Sequence, residues 1–188
     1  MSLFGDKLFT PRLCLRRMGK PDLPQLVEWS RSTEAYGKYL SPENLQTDQL
    51  GQQLQAGVFW NDREKVFLIL RREDEKMLGT IHYWQPVGRE KTAAMALKIA
   101  LPEERGKGYG TEAQKYLVSY LFDRCGMEQV EMHTDIDNMI EQRCLRKLGF
   151  ELVDSLSYTD QQVQRIGHLY RLTRTGYAAQ PIYQYHEL

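Results

Sequence analysis

Apolar and polar positions alternate through Leu13-Cys14-Leu15-Arg16-Arg17, the period of a strand with one buried face, until Gly19 and Pro21 stop it. The spacing then turns helical. Asp22 can cap a helix reaching about Arg31, with Pro24 in its first turn and Leu23, Leu26, Val27 and Trp29 on its apolar side. A second helix is predicted after Thr47, with Leu50 and Leu54 on one face. Two β-rich runs, VFLILR from Val66 and MLGTIHYW from Met77, flank the charged turn REDEK and read as a hairpin. Residues Ala94 to Pro102 give a fourth strand, closed by its proline.

The clearest helix is predicted from Thr111 to Cys125, where Ala113, Leu117, Val118, Leu121, Phe122 and Cys125 follow helical spacing and Gly126 is placed to end it. QVEMHTD alternates as a fifth strand, with Val130, Met132 and Thr134 on one face and Glu131, His133 and Asp135 on the other. A helix from about Asn138 to Leu148 carries Ile140, Cys144, Leu145 and Leu148 on one side and ends at Gly149. Two further strands are expected near Phe150 to Tyr158 and Gln164 to Leu172, followed by a tyrosine-rich tail without periodicity.

At 188 residues the chain fits one domain, 1–188, with a core at about 8–172 and a tail at 173–188. Lysine plus arginine and aspartate plus glutamate both number 25, so no broad field favours nucleic acid as a partner. Cys14, Cys125 and Cys144 are scattered and suggest neither a disulfide framework nor a metal site, which fits a cytoplasmic setting. No run approaches the roughly 20 apolar residues of a membrane span, so a soluble protein is expected.

One segment carries chemistry. Between the strand ending at Pro102 and the helix opening near Thr111 lies RGKGYGT, Arg105 to Thr111. Gly106, Gly108 and Gly110 let the backbone curl so that successive N–H groups can face an anion, and the helix N-terminus adds unpaired donors. Arg105 and Lys107 add charge. The P-loop pattern fails because no lysine and hydroxyl pair follows Gly110, and the dinucleotide fingerprint fails because its third glycine comes one residue early. A plain glycine turn is the bland alternative.

Arg105, Gly108 and Gly110 resemble the R-x-x-G-x-G signature of the GNAT superfamily of N-acetyltransferases. Thr10, Arg12, Leu13, Leu15 and Arg16 resemble the opening strand of the branch that acetylates ribosomal-protein N-termini. Leu78-Gly79, Glu112 in GYGTEA, and the spacing from Asn138 to Leu148-Gly149-Phe150 are similar to that branch too, so the resemblance covers about residues 8 to 172. It implies an α/β (α+β) fold: a mixed, mostly antiparallel sheet of six to seven strands, splayed between its fourth and fifth strands and flanked by about four helices.

The resemblance also implies acetyl-CoA as co-substrate and direct transfer of acetyl to a primary amine on a protein N-terminus, polyamine, antibiotic or small metabolite. The alternative is a catalytically weak, acetyl-CoA-binding regulatory module. A monomer or a homodimer would serve either. Cofactor contacts are expected from the main chain of Ile99, Ala100 and Leu101, from Arg105, Gly106, Lys107, Gly108, Tyr109, Gly110 and Thr111, and from Asn138, which also reads as a helix cap. His133 is the first candidate for the base that frees the amine of its proton, with Glu131 and His82 behind it. Glu141 stands where the branch usually has serine, and Leu145 where many relatives carry a tyrosine that protonates the leaving thiolate. No residue is therefore assigned as general acid. Cys144, on an apolar helix face, reads as core.

Overall fold

The computed structural model describes residues 3–4, 6–160 and 162–184. Its elements run β1 (Leu3–Phe4), β2 (Lys7–Phe9), β3 (Leu13–Arg17), α1 (Leu23–Ser30), α2 (Thr33–Tyr36), α3 (Thr47–Gln55), β4 (Glu64–Arg71), β5 (Met77–Trp84), β6 (Thr92–Ile99), α4 (Tyr109–Asp123), β7 (Gln129–Asp135), α5 (Met139–Lys147), β8 (Glu151–Asp160), β9 (Val163–Thr173), α6 (Arg174–Ala179) and α7 (Pro181–Gln184). All nine strands form one sheet, in the order β1-β2-β3-β4-β5-β6-β7-β9-β8. This exceeds the six to seven expected, because β1 and β2 are too short to show a period. The helices among the described residues likewise exceed the expected four, because α2, α6 and α7 span only four to six residues each.

Neighbouring strands are antiparallel except β6 and β7, which run parallel. That pair is brief. Thr92, Ala93 and Ala94 face Gln129, Val130 and Glu131, and beyond them the ladder stops, so the sheet opens between the fourth and fifth of the expected strands. Gly79 fixes the other side of β6. A Cβ there would stand 1.9 Å from the Lys98 carbonyl oxygen, a contact no side chain survives.

Helix α4 covers one face of the sheet. Its Ala113, Leu117, Val118 and Leu121 are fully buried against Leu15, Ile69, Ile81 and Val130, and each such leucine contributes about 1.5–3 kcal/mol by leaving water. The opposite face carries α1 and α3, whose Leu23, Val27 and Leu50 form a separate cluster beside the one around Leu68 and Leu70. In α5, Leu145 and Leu148 enter the main core as the spacing predicts, but Ile140 is 80% exposed. The first turn of α5 borders a cleft, so Ile140 has no neighbouring layer to pack on. The tail packs on its own chain: Tyr183 is buried and its hydroxyl donates to the Leu148 carbonyl, while residues 185–188 of the expected tail lie outside the described residues. No helix among the described residues is long and apolar enough to cross a membrane.

Candidate active site

A cleft of about 630 Å³ lies where β6 and β7 part. Its walls are the end of β6 (Leu97, Lys98, Ile99), the turn and first residues of α4, one side of α5, and the segment from Tyr36 to Leu40 that follows α2. The glycine turn and Asn138, 27 or more residues apart in sequence, thus come to one cavity.

The turn has the conformation its glycines suggest. Gly106 and Gly108 take positive φ of 74° and 83°, and Gly108 is the N-cap of α4. A Cβ on Gly110 would press to 3.1 Å from Leu97. The first helical bond accepted here is Glu112 N–H to the Gly108 carbonyl. Among the described residues the N–H groups of Gly106 through Thr111 have no partner. These donors stand at the positive end of a 15-residue helix.

The two charged residues of the turn are occupied otherwise than the sequence suggests. The Arg105 guanidinium donates to the carbonyls of Ile99 (2.9 Å), Glu34 (2.5 Å) and Ala35 (3.1 Å), tying α2 to the end of β6. Lys107 donates to Glu104 at 2.8 Å, and with Lys76 it pulls the Glu104 carboxyl down to about 2. Glu112 accepts from Thr10 Oγ1 and from Arg12 N and Nε, and so clamps the start of β3 to α4. Free cations come from elsewhere: Lys38, Arg143 and Lys147 line the cleft and have no ion-pair partner among the described residues.

On β6 the Ala100 N–H donates to the Leu78 carbonyl, so even-numbered residues present their main chain to β5 and odd-numbered ones to the gap. Of the three residues expected to offer main chain, Ile99 does face the gap, while Ala100 and Leu101 are outside the cleft lining. Leu97 joins Ile99 there.

Lys98, which the sequence reading passed over, projects from β6 into the cleft with its Nζ 3.6 Å from the centre of the Tyr36 ring. Burial pulls its pKa down to about 8, against a smaller pull the other way from Glu43. Glu43 in turn accepts from the Tyr36 hydroxyl at 2.8 Å. Lys98 did leave a sequence signal, as a lone charge inside an apolar β-run. Tyr39, also on the cleft wall, donates to the Asp137 carbonyl at 2.9 Å and so links the α2 side to the start of α5.

None of the three candidate bases lines the cleft. Glu131 is buried between Arg89 and Arg171, with oxygens 2.7–2.8 Å from their nitrogens; burial alone would raise its pKa, but the two guanidinium groups hold it low. His82 is stacked on Trp84, and burial lowers its pKa to about 4. His133 is exposed on β7, beyond the last residue paired with β6.

Asn138 caps α5 by accepting from the Glu141 N–H at 3.2 Å and also lines the cleft, so its two readings are compatible. Cys144 lies against Thr111 Oγ1 at 3.2 Å, and burial pushes its thiol up to about 11. Glu141 is beside them, with burial raising its carboxyl above the usual range.

Residues 12–151 match a family model described as an acetyltransferase (GNAT) domain. No match is found among curated protein sequences. Solved structures with the same fold include a spermidine N-acetyltransferase chimera from Vibrio cholerae and hSSAT, 16% identical with a TM-score of 0.76 over 90% of this chain and 99% of that one. A GNAT-family acetyltransferase from Bacillus anthracis is 16% identical with a TM-score of 0.74, over 89% of this chain and 98% of that one. The Vibrio cholerae spermidine N-acetyltransferase in complex with CoA and spermine is 15% identical with a TM-score of 0.74, over 90% and 99%.

Proposed function

The chain belongs to the GNAT acetyltransferase family, and from that premise we propose that its cleft takes acetyl-CoA and passes the acetyl group by direct attack to a primary amine. The acceptor is a protein N-terminus, polyamine, antibiotic or small metabolite. The observation that carries this reading is the row of unpartnered N–H groups from Gly106 to Thr111 opening onto the parted strands β6 and β7. A pyrophosphate needs several convergent donors, each charge interaction at a helix terminus contributing at most about 2 kcal/mol, and five of the unpartnered N–H groups, all but that of Lys107, belong to residues that line the cleft. Arg143 and Lys147, on the neighbouring helix, suit the coenzyme's remaining phosphate. The gap-facing main chain of Leu97 and Ile99, with Asn138 opposite, suits the amide-bearing arm.

The acceptor approaches from the side of Tyr36, Tyr39 and Lys98. An amine of the lysine type has a pKa near 10 and must shed its proton before it attacks. His133, exposed on β7 outside the cleft lining, is the proton acceptor in this account, acting through water. Glu131 is held as an anion by two arginines, and His82 is stacked on Trp84 away from the cleft lining, so neither meets an incoming amine there.

Coenzyme A release measured over peptides, polyamines, aminoglycosides and amino acids tests the reading. At least one class supports thiol release, and His133→Ala binds acetyl-CoA normally but turns over more slowly, most of all at low pH where few amines are neutral. Absence of thiol release with every acceptor class would remove the acetyl-transfer reading, and an unchanged pH profile would remove His133 from it.

A further inference from the structure

Two buried side-chain oxygens among the described residues have no hydrogen-bond partner, Glu141 Oε1 and Gln114 Oε1. A buried polar atom left unpaired destabilises the fold, and these two belong to neighbouring groups where α4 and α5 meet behind the cleft. Glu141 is on the cleft wall itself. It has no ion-pair partner among the described residues, unlike Glu104, Glu112 and Glu131, which are all matched to cations. Its backbone N–H is fixed by Asn138, and Cys144 and Thr111 pack beside it. Desolvation favours the uncharged acid, with a hydrogen bond from Gln114 working weakly the other way.

The place along the cleft matters as much as the protonation state. Arg143 and Lys147 are on the later turns of α5, while Glu141 belongs to its first turn. That turn follows Asp137, to which Tyr39 from the acceptor side is bonded. Glu141 therefore lies within a turn of Asn138, along the wall proposed above to face the amide-bearing arm that ends in the thioester.

We propose that Glu141 is the general acid of the reaction, giving its proton to the coenzyme A sulfur as the carbon–sulfur bond breaks. The proposal rests on the acetyl-transfer reading above. The acceptor nitrogen bonds to the acetyl carbon, the carbon–sulfur electron pair stays with sulfur, and sulfur takes the Glu141 proton. The proton lost by nitrogen leaves through His133 or water, and Glu141 is reprotonated from solvent.

Competing donors fit less well. Leu145 carries no proton and is fully buried in the core. Cys144 holds its proton up to about 11, so giving it to an ordinary thiolate of pKa about 8.5 is uphill. Tyr36 and Tyr39, also on the cleft wall, already donate their hydroxyl protons to Glu43 and to the Asp137 carbonyl, and Lys98 is included in the test.

The experiment is single-turnover acetyl transfer against pH, on wild type, Glu141→Gln and Lys98→Met, with coenzyme A affinity measured by calorimetry. Removal of a general acid costs roughly 100-fold or more. Glu141→Gln is expected to lose that much in rate while its coenzyme A affinity stays within twofold, and to lose the fall in rate that wild type shows at high pH. Lys98→Met keeps that fall. A Glu141→Gln rate within threefold of wild type overturns the proposal, as does an alkaline fall that vanishes in Lys98→Met instead. If Glu141→Gln fails to fold or to bind coenzyme A, the wild-type profile decides, and a rate that does not fall at high pH overturns the assignment. Wild type that transfers no acetyl at all refutes the broader reading, a different outcome from any of these.

Discussion

Arg105 Nε donates to the Ile99 carbonyl across 2.9 Å, so the residue that opens the glycine turn also fixes the last residue of β6. The same guanidinium holds two carbonyls of α2, a four-residue helix that is also capped by Ser32 and packs Ala35 and Tyr36 against Trp29 and Ala100. Arginine at this position thus fixes α2 relative to the end of β6 and the glycine turn.

Arg105→Ala should lower stability by about 2 kcal/mol, since bonds from a charged donor contribute about 1.5–3 kcal/mol each when buried and less where solvent competes. Arg105→Lys should recover little, because one ammonium cannot span the positions that the planar fork reaches. Urea midpoints would show this, and a lysine variant as stable as wild type would contradict it.

Gly79→Ala places a methyl group against the main-chain oxygen of Lys98, which cannot turn aside as a side chain would. Overpacking of this kind costs about 1–3 kcal/mol. The shift also moves Lys98 and Ile99, so a higher KM for acetyl-CoA is expected beside the lost stability. A variant that unfolds at the wild-type denaturant concentration would show that β5 and β6 are not so closely apposed.

Lys98 gives a pH signature. Its pKa is about 8 when folded, below the ordinary 10.5, so between those values the unfolded chain binds more protons and stability rises with pH. The cost of burying the ammonium, about 3 kcal/mol from that difference, applies in full below pH 8 and fades toward 10.5. Lys98→Met should be more stable than wild type at neutral pH and lose that slope. A stability difference between wild type and Lys98→Met, from chemical denaturation, that is the same at pH 7 and pH 10 would contradict the burial.

Much of this was legible in the sequence where a period was long enough to read. β3, β4, β5, β6, α4, β7 and α5 all emerge near their observed bounds, because each repeats its apolar spacing over several residues. β2 and α2 do not, since three or four residues carry no period and α2 is held in part by Arg105, some 70 positions away. The glycine turn was legible as local chemistry. The occupancy of its neighbours was not: Ala100 is consumed by Leu78, Lys107 by Glu104, and Glu131 by arginines 40 and 42 residues distant. Lys98 stood out as a charge in an apolar run, but its depressed pKa arises from burial beside Tyr36 and Glu43, brought to it from another segment.

The claim that the Gly106–Thr111 turn holds the coenzyme is tested most directly by acetyl-CoA thermal shift on wild type and Gly108→Val. Position 108 has a φ of 83°, and a Cβ there would lie 3.3 Å from Arg12, so valine distorts the cradle at its cap. Saturating acetyl-CoA at 100 times Kd stabilises the folded state by about 2.7 kcal/mol, which for a domain of this size raises Tm by roughly 5–10 °C. Wild type should show that rise, and Gly108→Val, with an unchanged circular dichroism spectrum, should show none. An unshifted wild type, or a valine variant that shifts equally, would contradict the account.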